Sequence, residues 1–243
     1  MRSETDEIPR ALIRTYKSIV KNVDEKLIKD LKNAEKIVFC GCGTAYHAGL
    51  YGKDVFERLL RIPCVCEVAS EFSGVRFLTK NTVGIFITQS GETADTILAL
   101  KRCKESGAKT VALTNVEASS ITFEADKTLY LNAGAEVAVA ATKSYVCQLL
   151  ALYVIAKTCL GQTPPKSEIS ALVQDVRIAS AQSLYEEKIK KANLFFIGKG
   201  LDFVTAREGA LKFKEITYKM TDAYQSGELK HGTIALIDRK SVV

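Results

Sequence analysis

The chain has 243 residues, enough for one large domain or two small ones at about 100–200 residues each. Apolar residues at 47% and charged residues at 26% are ordinary for a globular protein, which excludes disorder, collagen and coiled coil for the chain as a whole. Its 34 Lys and Arg against 28 Asp and Glu give a net charge of +6, spread without a basic arm, so a small anion suits it at least as well as nucleic acid.

Met1–Pro9 is charged and lacks the apolar stretch of a signal peptide. The longest mostly apolar run, Val146–Ala156, is shorter than the roughly 18–20 residues of a bilayer span. The expectation is a soluble, cytoplasmic chain with no membrane or nucleic-acid partner. Residues 8–31 read as one helix, with Leu12, Ile13, Ile19, Val20, Leu27 and Ile28 on its apolar side. Strands are expected at Lys36–Cys40, Cys64–Val68, Val83–Thr88, Lys109–Thr114 and Lys127–Leu131, alternating with helices at Thr44–Leu60, Glu92–Ser106 and Lys143–Leu160. That alternation indicates an α/β fold, a doubly wound parallel sheet flanked by helices.

The seven cysteines include two C-x-C pairs, Cys40/Cys42 and Cys64/Cys66. They lie in β-like apolar runs and at the wrong spacing for the usual zinc motif, so core packing is favoured over metal. No metal or cofactor is expected. Gly161–Pro165 reads as a linker, because Pro-Pro cannot continue a helix, and a polar helix over Ser167–Lys191 follows. Asn193–Gly200 then repeats the pattern of Lys36–Gly43, an apolar strand running into Gly-x-Gly and a helix. The expected organisation is a helical segment over 1–34, a first domain over 35–165, a connecting helix over 166–192 and an incomplete second domain over 193–243. Because Ser241–Val243 looks like the start of another strand, the sequence is expected to be a piece of a longer two-domain chain.

Three segments could carry chemistry. In Thr88-Gln89-Ser90-Gly91-Glu92-Thr93 a strand meets a helix through a hydroxyl-rich loop. Amide N–H groups and the helix dipole favour an anion there, and Gly91 would let a ligand approach the backbone. The alternative is that Ser90 is a plain N-cap. Gly41-Cys42-Gly43-Thr44 lacks the third glycine of a dinucleotide site and reads better as a second wall of the same pocket, with Thr44 as a donor. On a helix over Phe203–Met220, Glu208, Lys212, Glu215 and Lys219 fall within a stripe of roughly 60°. This is either a solvated face with ordinary ion pairs or a carboxylate and ammonium presented together for proton transfer beside a carbonyl. His231, in Gly227-Glu228-Leu229-Lys230-His231-Gly232, is either an acid–base group or a silent loop histidine, and His47 reads as structural or near the pocket.

Taken in order, Cys-Gly-Thr, Gln-Ser-Gly-Glu-Thr-Ala-Asp-Thr, Asn-Ala-Gly-Ala-Glu…Ala-Thr-Lys, Glu-Gly-Ala-Leu-Lys-x-Lys-Glu and Gly-Glu-Leu-Lys-His-Gly closely resemble the isomerase half of the glutamine–fructose-6-phosphate aminotransferases, built of two sugar isomerase (SIS) domains. The resemblance implies substrate contacts at Thr44, Thr88, Gln89, Ser90, Gly91, Thr93, Val139 and Ala140. It implies that Glu215 transfers the C1–C2 proton, with Glu208 and Lys212 as pocket partners. It also implies a homodimer in which His231 serves a neighbouring subunit and opens the ring of a hexose 6-phosphate, fructose 6-phosphate or glucosamine 6-phosphate. This sequence departs from that family at Ala45 and Ala141, where serine is usual, and it has no glutaminase segment, so it is not expected to release ammonia from glutamine by itself. A stand-alone deaminase or isomerase, or a phosphosugar sensor without turnover, stays open on the sequence.

Overall fold

The computed structural model describes residues 1–73, 78–181, 193–238 and 241–242. Five parallel strands form the first sheet: β1 (Lys36–Gly41), β2 (Cys64–Val68), β3 (Thr82–Thr88), β4 (Lys109–Thr114) and β5 (Lys127–Tyr130), in the order β2-β1-β3-β4-β5. The strands are continuous apolar runs because both faces are covered. Ile37, Phe39, Ile85, Ile87 and Leu113 point into one core, and Val38, Cys40, Phe86 and Ala112 into the other. This period of two sorts alternate side chains onto opposite faces.

The first core is closed by α2 (Ile8–Asn22), α3 (Glu25–Lys32), α4 (Thr44–Leu60), α7 (Lys143–Cys159) and α8 (Lys166–Ser180), where Leu12, Leu31, Phe56 and Leu152 are buried. The second is closed chiefly by α5 (Ala94–Glu105), through Ala99, Leu100 and Cys103, together with Phe72. Two short helices, α1 (Arg2–Asp6) and α6 (Ser120–Glu124), complete this part of the chain. The helix expected over 8–31 is two helices. Asp24 turns out of the helix and its carboxylate accepts the Leu27 N–H at 2.8 Å, which caps α3 and ends α2. Helix α5 begins at Ala94 rather than Glu92, with Thr93 as its N-cap, so the N-cap reading of Ser90 is incorrect.

The internal repeat is present in three dimensions. Strand β6 (Asn193–Gly198) leads through Gly200 into α9 (Leu201–Thr217), as β1 leads through Gly43 into α4. Gly43 and Gly200 share one conformation, φ 53 ψ −124 and φ 59 ψ −126, in a region open only to glycine. Both helices have 17 residues and end on a left-handed residue, Arg61 at φ 59 and Tyr218 at φ 57. The second sheet, β7-β6-β8 with β7 at Thr221–Gln225 and β8 at Ser241–Val242, repeats the order β2-β1-β3. The stop at Tyr218 corrects the helix expected to Met220 and takes Lys219 off the charged stripe. Most of the second half of the helix expected over Ser167–Lys191 lies outside the described residues. Among the described residues no helix is long and apolar enough to cross a membrane.

Candidate functional site

A strand order of 2-1-3 makes the chain reverse direction between β1 and β3, and crevices at such points lie beyond the carboxyl ends of the strands. A cleft of about 220 Å³ occupies this position. Its first wall carries Cys42 and Thr44 after β1, Thr88 at the end of β3, and Gln89, Ser90 and Thr93 after it. The facing wall is the segment Glu136–Ser144, with Val139 at the lip. A larger hollow of about 530 Å³ lies at the opposite end of the sheet, but three of its four lysines are already matched: Lys109 to Asp30, Lys127 to Asp24 and Lys104 to Asp126.

The β3–α5 loop is held by its own hydrogen bonds. The Thr88 and Thr93 hydroxyls are 3.1 Å apart, the Gly91 N–H donates to Thr88 Oγ1 at 3.2 Å, and the Glu92 N–H donates to Ser90 Oγ at 3.2 Å. Glu92 turns away, accepting from Ser120 N at 2.7 Å and Ser120 Oγ at 2.6 Å, and these bonds hold its carboxyl below the usual range. No side chain caps α5, so its first-turn N–H groups remain for an anion. At α7 the equivalent groups are taken. Glu136 accepts from Thr142 N at 2.9 Å, Ser144 N at 3.2 Å and the Ser144 hydroxyl. At the third helix start on the cleft, that of α4, the Ala45 and Tyr46 N–H groups return to Cys42 O at 3.1 and 3.4 Å, so the end of α5 is the one left for a negatively charged ligand.

Gly91 serves packing rather than ligand approach. It does not border the cleft, its φ is 71°, and a Cβ there would stand 1.9 Å from Ser119 Oγ. Ala140 is buried away from the cleft, whereas Val139 is 96% exposed.

The charged stripe of α9 is not a solvated face. Helix α9 packs on α4 and buries Glu208 to 5% exposure. His47 Nδ1 lies 2.7 Å from Glu208 Oε2, and Thr44 Oγ1 donates to Glu208 Oε1 at 3.0 Å. Thr44, expected as a donor in the pocket, lines the cleft and donates its hydroxyl proton to Glu208. Lys212 Nζ is 3.6 Å from Glu208 Oε1 and 2.5 Å from Glu215 Oε2. Thr44 thus belongs to the cleft and to the charged cluster at once. Thr44 and His47 are spaced i,i+3, the signal by which His47 could have been found. His231 is exposed, with its backbone N–H returned to Glu228 O at 2.9 Å, and it is not brought to this cluster.

Five of the seven cysteines are buried core residues, while Cys42 and Cys66 are partly exposed and Cys42 lines the cleft. Cys40 and Cys64 are buried, and burial pushes both thiols up, that of Cys64 to about 12. Among the described residues no cluster of three or more His, Cys, Asp or Glu could hold a metal ion.

The family description "SIS domain" matches residues 30–158 and 189–243. Glutamine–fructose-6-phosphate aminotransferase (isomerizing) of Caldanaerobacter subterraneus is 41% identical over 100% of this chain and 44% of its own length. The Bacillus subtilis protein of that name is 40% identical with the same coverage, so the chain spans less than half of these curated relatives. Among solved structures, the C-terminal domain of glucosamine-fructose-6-phosphate aminotransferase from Francisella tularensis superposes with a TM-score of 0.79 at 32% identity, covering 98% of this chain and 73% of that one. Glucosamine-6-phosphate deaminase from Thermotoga maritima gives 0.78 at 25% identity, covering 98% and 75%.

Proposed function

The chain belongs to the SIS domain family, and from that premise we propose that its β1–β3 cleft binds a hexose 6-phosphate and that it forms the sugar isomerase part of a glutamine–fructose-6-phosphate aminotransferase, carrying fructose 6-phosphate towards glucosamine 6-phosphate. The observation that carries this reading is the Thr44–Glu208 hydrogen bond, because Thr44 lines the same cleft as the anion-binding loop and so joins that cleft to a buried acid–base cluster.

The phosphate sits against Ser90, Thr93 and the first-turn amides of α5, where neutral donors and the helix dipole compensate its charge. The sugar then runs towards Thr44 and α9. Glu215 takes a proton from one of C1 and C2 of the open chain and returns it to the other through an enediol or enamine. Lys212, held between Glu208 and Glu215, offsets negative charge developing on the neighbouring oxygen. Glu208 cannot swing out, because His47 and Thr44 pin both of its oxygens. His231 lies on an exposed turn, which suits a homodimer in which the partner subunit's His231 opens the ring.

The test is Glu215→Gln. Isomerisation of the sugar phosphate should fall by about 10²–10⁴, the usual contribution of a general base, while glucosamine 6-phosphate binds within about three-fold of the parent. Turnover that survives this change removes Glu215 as the base. Binding without turnover in the parent protein itself would make the chain a sensor.

A further inference from the structure

The cleft wall opposite the phosphate loop has no regular structure of its own. From Leu131 to Thr142 there is neither helix nor strand, and Asn132 and Gly134 take positive φ of 53° and 86°. Nor do its apolar side chains hold it at the lip, since Val137 is 88% and Val139 96% exposed. Its backbone is held by side chains from the far end of the sequence. Arg14 donates to Asn132 O at 2.9 Å and Ala133 O at 2.7 Å, and Glu7 pairs with buried Lys143 at 2.5 Å. Glu4 Oε1 accepts both the Val137 N–H at 2.6 Å and the Ala138 N–H at 3.1 Å. Glu4 is only 8% exposed; its second oxygen makes no hydrogen bond and faces the Met1 ammonium at 3.6 Å. The hydrogen bonds of this buried carboxylate are therefore all made to the Val137 and Ala138 amides, through its first oxygen.

We propose that Glu4 is a positioning residue of the sugar-binding wall: its carboxylate fixes the Val137–Ala138 turn, and so pre-orders the lip of the cleft before ligand arrives. The inference rests on the sugar-phosphate reading of the cleft and goes beyond it, because Glu4 touches neither the phosphate loop nor the α9 cluster. The physical reason is conformational entropy. Each backbone residue ordered only on binding costs conformational entropy, and a wall already held spares the ligand that cost. The phosphate group is gripped from the other side, so the grip of Glu4 bears on the sugar and not on the anion.

The experiment measures dissociation constants of glucosamine 6-phosphate and of inorganic phosphate for the parent chain and for Glu4→Ala, with melting followed in parallel. The expected result is glucosamine 6-phosphate binding weakened about ten-fold or more in Glu4→Ala, with inorganic phosphate changed less than about two-fold. General loosening of the fold would weaken both ligands together and overturns the proposal. Glu4→Gln, which keeps an acceptor oxygen, should restore most of the lost affinity. If Glu4→Ala does not fold, Glu4→Leu keeps the buried volume without an acceptor and carries the same comparison. A parent chain that binds both ligands and a Glu4 variant that binds them unchanged overturns this inference and leaves the site standing. A parent chain that binds neither overturns the sugar-phosphate reading, and the inference with it.

Discussion

Gly91→Ala tests whether the β3–α5 loop is as tightly determined as its geometry requires. Two costs add. Alanine at φ 71° pays about 1 kcal/mol for the left-handed region. Its Cβ would also meet Ser119 Oγ at 1.9 Å and Ser119 Cβ at 2.5 Å, well inside the ordinary contact of roughly 3.5–4 Å. Ser119 cannot rotate away freely, because its hydroxyl donates to Val116 O at 2.9 Å and it stands at the N-cap of α6. An overlap of this kind typically costs about 1–3 kcal/mol, for a total of about 2–4. At about 2–4 °C per kcal/mol for a chain of this size, the melting temperature should fall by roughly 4–16 °C in a circular-dichroism melt. Adding Ser119→Gly removes the overlap and leaves the backbone cost, so the double variant should regain about half or more of the loss, and Ser119→Gly alone should cost only a few tenths of a kcal/mol. A Gly91→Ala protein melting within about 1 °C of the parent, or a double variant that regains nothing, would refute the reasoning.

Glu208→Leu leaves His47, Thr44 and Lys212 without their common partner, and urea unfolding should show a loss of about 2–4 kcal/mol, with Lys212 contributing least because it still has Glu215 and some exposure to solvent. Glu4 accepts two backbone N–H groups that hold its carboxyl below the ordinary 4.5, so its stabilisation is complete above pH 4.5 and lost as the pH falls through the depressed folded value. Urea midpoints measured from pH 6 to pH 3 should therefore fall less steeply in Glu4→Gln than in the parent. Cys42 borders the cleft and is half-buried, whereas Cys40, Cys64 and Cys103 are buried with thiols pushed up by burial, those of Cys64 and Cys103 to about 12. Iodoacetamide at pH 8 should modify Cys42 first by mass spectrometry, and glucosamine 6-phosphate should slow that reaction.

The first sheet was legible because parallel strands buried on both faces are written as short apolar runs, and all five expected strands match to within one residue at their ends. Where the reading failed, the deciding interactions were local contests without a glycine or proline to mark them. The break at Asp24 comes from one side-chain cap inside an apolar pattern that continues across it. The stop at Tyr218 uses a left-handed residue that is not glycine. Strand β7, Thr-Asp-Ala-Tyr-Gln, has no apolar run at all, yet the repeat contained it. Moving Cys64–Val68 by the 157 positions that separate Lys36 from Asn193 lands on Thr221–Gln225. The pairing confirms the shift, with Ile37 opposite Cys64 and Leu194 opposite Thr221 at the same offset.

The candidate site divides along the same line. A phosphate loop is a local object, a strand, a turn and a helix start within a few residues, so Ser90 and Thr93 could be read from one segment. The acid–base cluster is not local. Spacing on α9 alone left Glu208 undecided between solvent and chemistry, and what removes it from solvent is α4, 161 residues away from it at His47. Burial turns an ordinary charged stripe into a site, because a carboxylate held out of water must be met by donors at both oxygens, and those donors then fix where Lys212 and Glu215 can be. The wall held by Glu4 is a second such case, a contact spanning 133 residues from a helix of five. Nothing in the periodicity of either segment could announce it, since the information lies in the pairing of a buried acid with two amides that no strand or helix claims.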